Sequence, residues 1–121
     1  MLTLPSSVRI FLATEPCDMR KGFDSLSALV CKYGEDVFSG HLFVFVSRNR
    51  NRLKILTWQS GGFVMLYKRL EKGRFKLERF TDDQQTVQLE PAQLTMLLEG
   101  IDYSRVRRPR RWEPPSRPHS S

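Results

Sequence analysis

Leu42-Phe43-Val44-Phe45-Val46 is the stretch on which the fold turns. It shows no alternation of polar and apolar residues, so both of its faces are apolar and it reads as a central strand. The flanking segments can be placed around it. Val8 to Ala13 reads as a first strand, ended by Glu15-Pro16. Asp18 then stands where a helix N-cap would stand, and Met19, Phe23, Leu26, Val30 and Tyr33 recur at helical spacing before Gly34. On the other side, Leu53 to Trp58, Phe63 to Leu70 and Phe75 to Phe80 are strand-like runs. They are separated by the turn signals Ser60-Gly61-Gly62 and Glu71-Lys72-Gly73, a pattern that predicts consecutive antiparallel hairpins. A second helix should open at Pro91 and bury Leu94, Leu97, Leu98 and Ile101, with Gly100 near its end.

The expected class is therefore α+β, in the order β-α-β-β-β-β-α. An antiparallel sheet of about five strands carries two helices on one face. Residues 1–103 form the single domain. Residues 104–121, rich in Arg, Pro and Ser with Val106 and Trp112 as isolated apolar residues, form a flexible basic tail.

The 121 residues carry a net charge of +7, unevenly placed. Residues 1–47 contribute −1, residues 48–79 contribute +8, residues 80–103 contribute −5 and residues 104–121 contribute +5. A clustered basic surface attracts polyanions by neutralising phosphates and releasing counterions. The plain alternative is a solvated face that keeps the chain soluble. The −5 block could also fold against the +8 segment and cancel part of it. The longest apolar run, Leu42 to Val46, is too short to cross a bilayer, and no secretory signal is visible, so a cytoplasmic protein is expected.

Catalytic readings find little support. There is no Gly-rich phosphate loop, and Cys17 and Cys31 have neither metal-ligand spacing nor clustered histidines, so no metal or cofactor is expected. Of the two histidines, His119 lies in the tail and His41 reads as a strand-edge residue. Asp82-Asp83 is a loop pair without converging partners.

Two segments are harder to dismiss. In Asp18-Met19-Arg20-Lys21-Gly22, cations fall where a first helical turn is expected, although the macrodipole disfavours them there. Asp18, Arg20, Lys21 and Gly22 are thus a candidate corner for an anion or a partner's carboxylate. Gly22 inside a helix is costly, which points to close approach of another backbone. The second segment is Arg48 to Arg79. Arg48, Arg50 and Arg52 alternate with asparagines as a donor-rich loop, Lys54 and Trp58 share strand parity, and Lys68, Arg69 and Arg74 follow on the next hairpin. These residues, with Arg105, Arg107, Arg108, Arg110 and Arg111 of the tail, form the candidate DNA-binding set. The alternative for the strand residues is a charged open face of the sheet. No helix-turn-helix or zinc-finger spacing is present.

In their order along the chain, Asp18-Met19-Arg20-Lys21-Gly22-Phe23, Phe38-Ser39-Gly40-His41-Leu42-Phe43, Lys54-Ile55-Leu56-Thr57-Trp58, Gly62-Phe63 and Lys68-Arg69-Leu70-Glu71-Lys72-Gly73-Arg74-Phe75 resemble the Orf2-like, TnpB-type accessory proteins of the bacterial insertion-sequence family IS66. The closing Leu97-Leu98-Glu99-Gly100-Ile101-Asp102 does so too, and the resemblance runs from about residue 4 to 112. The RNA-guided nucleases of similar label are unrelated. The resemblance implies a small non-catalytic protein encoded beside a separate, larger transposase and needed for efficient transposition. DNA is the first expected partner. The transposase and other element-encoded accessory proteins are the next, in an adaptor role without direct DNA contact. The oligomeric state is left open.

Overall fold

The computed structural model describes residues 7–77 and 84–100. Its elements are β1 (Ile10–Ala13), α1 (Phe23–Lys32), β2 (Leu42–Val46), β3 (Arg52–Gln59), β4 (Gly62–Arg69), β5 (Thr86–Leu89) and α2 (Pro91–Leu98). The strands form one five-stranded sheet in the order β4-β3-β2-β1-β5. All five residues of β2 are buried, as a strand apolar on both faces and placed at the centre must be.

The sheet is mixed rather than wholly antiparallel. β1 and β2 run parallel, with Ile10 opposite Leu42, because α1 crosses between them and returns the chain in the same direction. The fifth strand also comes from a different segment. Phe75–Leu77 belong to no strand, residues 78–80 lie outside the described part, and Thr86–Leu89 pairs antiparallel with β1 instead. The signal at Phe75 is burial rather than extension: its side chain is fully enclosed beneath the sheet, with Leu53, Ile55 and Leu97 in the same cluster.

The helices cover opposite faces, not one. Leu94 and Leu97 of α2 pack with Ile10, Leu12, Leu42, Val44, Leu53 and Ile55. Leu26 and Val30 of α1 pack with Ala13, Phe43, Phe45 and Leu56 on the other side. Alternation along β2 divides its five apolar side chains between these two cores. Each helix end has a local cause. Gly34, at φ 84°, closes α1 with Gly34 N–H donating to Cys31 O and Glu35 N–H donating to Val30 O, a Schellman arrangement. α2 opens at Pro91 as expected, within a capping box between Glu90 and Gln93.

Candidate nucleic-acid interface

β1 and β2 are parallel, so their carboxyl ends lie side by side, the usual place for a ligand crevice in such pairs. The chain leaving β1 (residues 14–22) and the turn leaving β2 (residues 47–51) meet there. Cys17 N–H donates to Val46 O at 2.9 Å, carrying the pairing past the ends of both strands. Between the two segments is a cleft of ≈ 420 Å³ lined by Cys17, Asp18, Met19, Arg20, Ser47, Arg48, Asn49, Asn51 and Arg52. An adjoining concavity is lined by Pro16, Cys17, Asp18, Arg20, Lys21 and Arg48. The two segments set apart in the sequence, one around Arg20 and one around Arg48, thus form the two walls of one site.

The Asp18 wall is a turn, not a helix start. Lys21 N–H donates to Asp18 O at 3.1 Å, and Arg20 N–H donates to Asp18 Oδ1 at 2.9 Å. An aspartate satisfies the amide two residues ahead readily, and here that preference wins over helix capping. α1 begins only at Phe23, with Gly22 as its N-cap and no side-chain cap. A Cβ on Gly22 would meet nothing within 4 Å, so close backbone approach is not what the glycine serves. Glycine is simply acceptable at an N-cap. Arg20 and Lys21 therefore precede the helix instead of occupying its first turn.

The Arg20 guanidinium folds back on Asp18 with a contact of 2.7 Å, and the pair is exposed. Those hydrogen bonds, first from the Arg20 side chain and then from its amide, hold the Asp18 carboxyl below the usual carboxylate range. Burial pushes the Cys17 thiol up, against the opposing influence of Lys21 and Lys54, so the cleft has a neutral floor. Arg20, Lys21, Arg48 and Arg52 thus face a single carboxylate. Among the described residues Lys21, Arg48 and Arg52 have no ion-pair partner.

The opposite wall is held firmly. Arg50 N–H donates to Ser47 O at 2.9 Å, Ser47 N–H to Arg52 O at 2.9 Å, and Leu70 N–H to Asn51 O at 2.8 Å. Arg50 itself adopts a positive φ of 62°, and its carbonyl accepts from Phe75 N–H at 2.6 Å. A non-glycine residue in the left-handed region is strained, and the surrounding bonds hold it there. Arg50 is exposed but does not line the cleft; Arg48 and Arg52 do. Arg52 stands directly opposite Arg69 in the β3–β4 ladder, a like-charge pairing that costs stability, and Glu71 meets Arg69 at 3.1 Å.

Other members of the candidate set are used elsewhere. Lys54 is buried: its Nζ donates to Met19 O at 2.7 Å and Lys21 O at 2.8 Å and lies 5.2 Å from the centre of the Tyr67 ring. It ties the Asp18 turn to β3 and leaves no donor at the surface for phosphate, a correction to the reading of β3 as an open charged face. The Lys68 ammonium donates to Leu98 O at the carboxyl end of α2, where the helix dipole favours a cation. Trp58 sits edge-on to Phe38 and Phe63, each ring centroid 4.9 Å away. Six residues along β3 separate it from Arg52, about 20 Å of strand, so it packs at the far end of the sheet from the cleft. His41 Nδ1 accepts from Arg9 N–H at 3.0 Å, which makes it a strand-edge acceptor. Arg74 is exposed, and the tail arginines from Arg105 to Arg111 lie outside the described residues.

Sequence reasoning missed Ser47 and Cys17 as parts of the cleft. The missed signal is topological: only the parallel pairing of β1 with β2 brings the residues after Ala13 beside those after Val46.

A family model described as "IS66 Orf2 like protein" matches residues 8–108. The chain is 33% identical over 102 residues to y4jC, an uncharacterized protein of Sinorhizobium fredii (strain NBRC 101917 / NGR234), covering 84% of this chain and 86% of that one. It is 38% identical over 105 residues to y4hO, another uncharacterized protein of the same strain, covering 85% and 89%. No solved structure matches.

Proposed function

The chain belongs to the IS66 Orf2-like family, accessory proteins associated with transposition of insertion sequences, and from that premise we propose that it binds the element's DNA through the cleft between the Asp18 turn and the Arg48 loop. The observation that carries this reading is the convergence of Arg20, Arg48 and Arg52 on one cleft at the carboxyl ends of β1 and β2, with Lys21 lining the concavity that adjoins it. Lys21, Arg48 and Arg52, without ion-pair partners among the described residues, can contact phosphates, and the asparagine amides beside the arginines can reach the edges of bases. The Arg105–Arg111 tail adds sequence-independent affinity. The protein contributes no bond-making chemistry of its own and acts on the DNA that the transposase cuts and joins.

A mobility-shift series with the element's terminal repeats tests this. Binding should weaken steeply with salt, with a slope of about 0.9 per phosphate neutralised. Unchanged affinity after joint replacement of Arg20, Arg48 and Arg52 by Ala would place the contact elsewhere. One observation favours an adaptor role instead. Phe23 and Phe38 are 46% and 59% exposed and stack on Phe63, forming an aromatic patch that lines neither concavity. Co-purification with the transposase in high salt, lost on Phe23→Ser and Phe38→Ser, together with no shift of the terminal repeats, would favour that reading.

A further inference from the structure

The two edges of the sheet are built differently. The β5 edge is four residues long, as edges usually are when they are kept from pairing. The β4 edge runs for eight residues in unbroken register with β3, with no proline and no bulge. It also exposes apolar side chains: Val64 46%, Leu66 38% and Tyr67 52%. Its only two charged side chains are engaged within the chain, Lys68 on Leu98 O and Arg69 on Glu71. Among the described residues, neither a proline nor a bulge guards this edge, and its two cations are held by partners within the chain.

The pairing groups follow from the hairpin. Ser60 and Gly61, both at positive φ, form a two-residue turn closed by Gln59 and Gly62. In such hairpins the closing pair is hydrogen-bonded, so Gly62, Val64, Leu66 and Lys68 direct their backbone groups to β3. The N–H and C=O groups of Phe63, Met65, Tyr67 and Arg69 are left facing outward.

We propose that a second copy of this chain pairs with β4. The two strands run antiparallel about a two-fold axis at Leu66 and join two five-stranded sheets into one. The charge pattern selects this occupant. Lys68 and Arg69 lie together at one end of the strand, so antiparallel self-pairing about Leu66 sets Lys68 against Val64 of the second copy and Arg69 against its Phe63. No like charges meet, and a guanidinium over a phenyl ring is favourable. Parallel pairing in register would bring the cations together. Because the axis is perpendicular to the sheet, Leu66 meets its counterpart and Val64 meets Lys68 on one face, while Met65 meets Tyr67 on the other. That axis reverses strand direction, so the two cationic clefts, each at the carboxyl ends of β1 and β2, come to opposite ends of the joined sheet.

Sedimentation of the nuclease-treated full chain across the micromolar range should give twice the 14.2 kDa of one copy. Leu66→Lys places two ammonium groups on the axis and should return the mass to one copy. A wild-type chain that stays single throughout, or a Leu66→Lys variant that stays paired, overturns the proposal. Should Leu66→Lys fail to fold, Leu66→Cys decides instead, combined with Cys31→Ser to remove the exposed native thiol. Facing residues of a non-hydrogen-bonded pair are close enough for a disulfide, so mild oxidation should give a covalent dimer. Absence of that dimer under oxidation, or pairing only with an added transposase, counts against self-pairing.

Discussion

Two lysine- and arginine-rich regions that look alike in the sequence turn out to be different kinds of structure. Around the cleft, Arg48, Arg52 and Lys21 have no acidic partner among the described residues, and the backbone beneath them is held by a network of turn hydrogen bonds. On the β3–β4 hairpin, Lys54 and Lys68 each complete a structure: one satisfies the carbonyls of Met19 and Lys21, the other that of Leu98. A cation's charge says nothing about whether its donors are already engaged; that depends on which carbonyls the fold brings within reach. The proposed binding surface is therefore smaller than the basic stretch of sequence, and part of that stretch supports it from beneath.

The sharpest way to break this comparison is Lys54→Met. The substitution keeps the stem but leaves two carbonyls without a charged donor in a buried place, and should cost about 2–4 kcal/mol in a urea melt. A loss within about 0.5 kcal/mol would mean that Lys54 behaves as a surface cation after all. Next in size is the cleft itself. Changing Arg20, Arg48 and Arg52 together to Ala should lower DNA affinity by about 30- to 100-fold near physiological salt and reduce the salt slope by about 2 to 3. Melting should hardly change, because these side chains are exposed. The cleft variant should thus change affinity without stability, whereas Lys54→Met lowers stability and, through the Asp18 turn it holds, acts on the cleft only indirectly. Lys68→Ala belongs with Lys54 at a smaller scale: about 0.5–1.5 kcal/mol of stability from the α2 terminus, and DNA affinity within about twofold of wild type.

Local signals carried much of the fold. β2, α1, the β3–β4 hairpin and the start of α2 at Pro91 all follow from runs and caps visible along the chain. What local signals do not contain is partnership. Phe75-Lys76-Leu77 has the alternation of a strand, yet Phe75 serves as a plug beneath the sheet, and the short, polar-interrupted Thr86–Leu89 takes the edge beside β1. Leu42–Val46 announced two apolar faces, but which helix covers each is fixed only by tertiary contacts. The site was legible in pieces. Arg20 and Arg48 each stood out, while their meeting depends on the parallel β1–β2 pair, and the withdrawal of Lys54 depends on carbonyls some 35 residues away in sequence.

The smallest expected effect concerns Asp18, the one carboxylate in the cleft. Its carboxyl titrates below the ordinary value near 3.9 because Arg20 donates to it. A depressed carboxyl stabilises the fold above its unfolded-state value, and that contribution is lost as pH falls toward the folded one. Between pH 5 and 8 it therefore stays charged, and Asp18 should impose no pH dependence on binding. Asp18→Asn keeps an oxygen for the Arg20 amide but releases the guanidinium, so the turn persists while the cleft gains one unit of positive charge. If Asp18 only offsets charge, DNA affinity at low salt should rise about two- to fivefold, with a steeper salt slope. If affinity falls instead, Arg20 acts from the orientation Asp18 gives it, and the pair is part of the binding surface rather than a brake on it. Asp18→Ala separates the two ideas further: it also removes the acceptor for the Arg20 amide, so any loss seen there but not with Asn belongs to the turn.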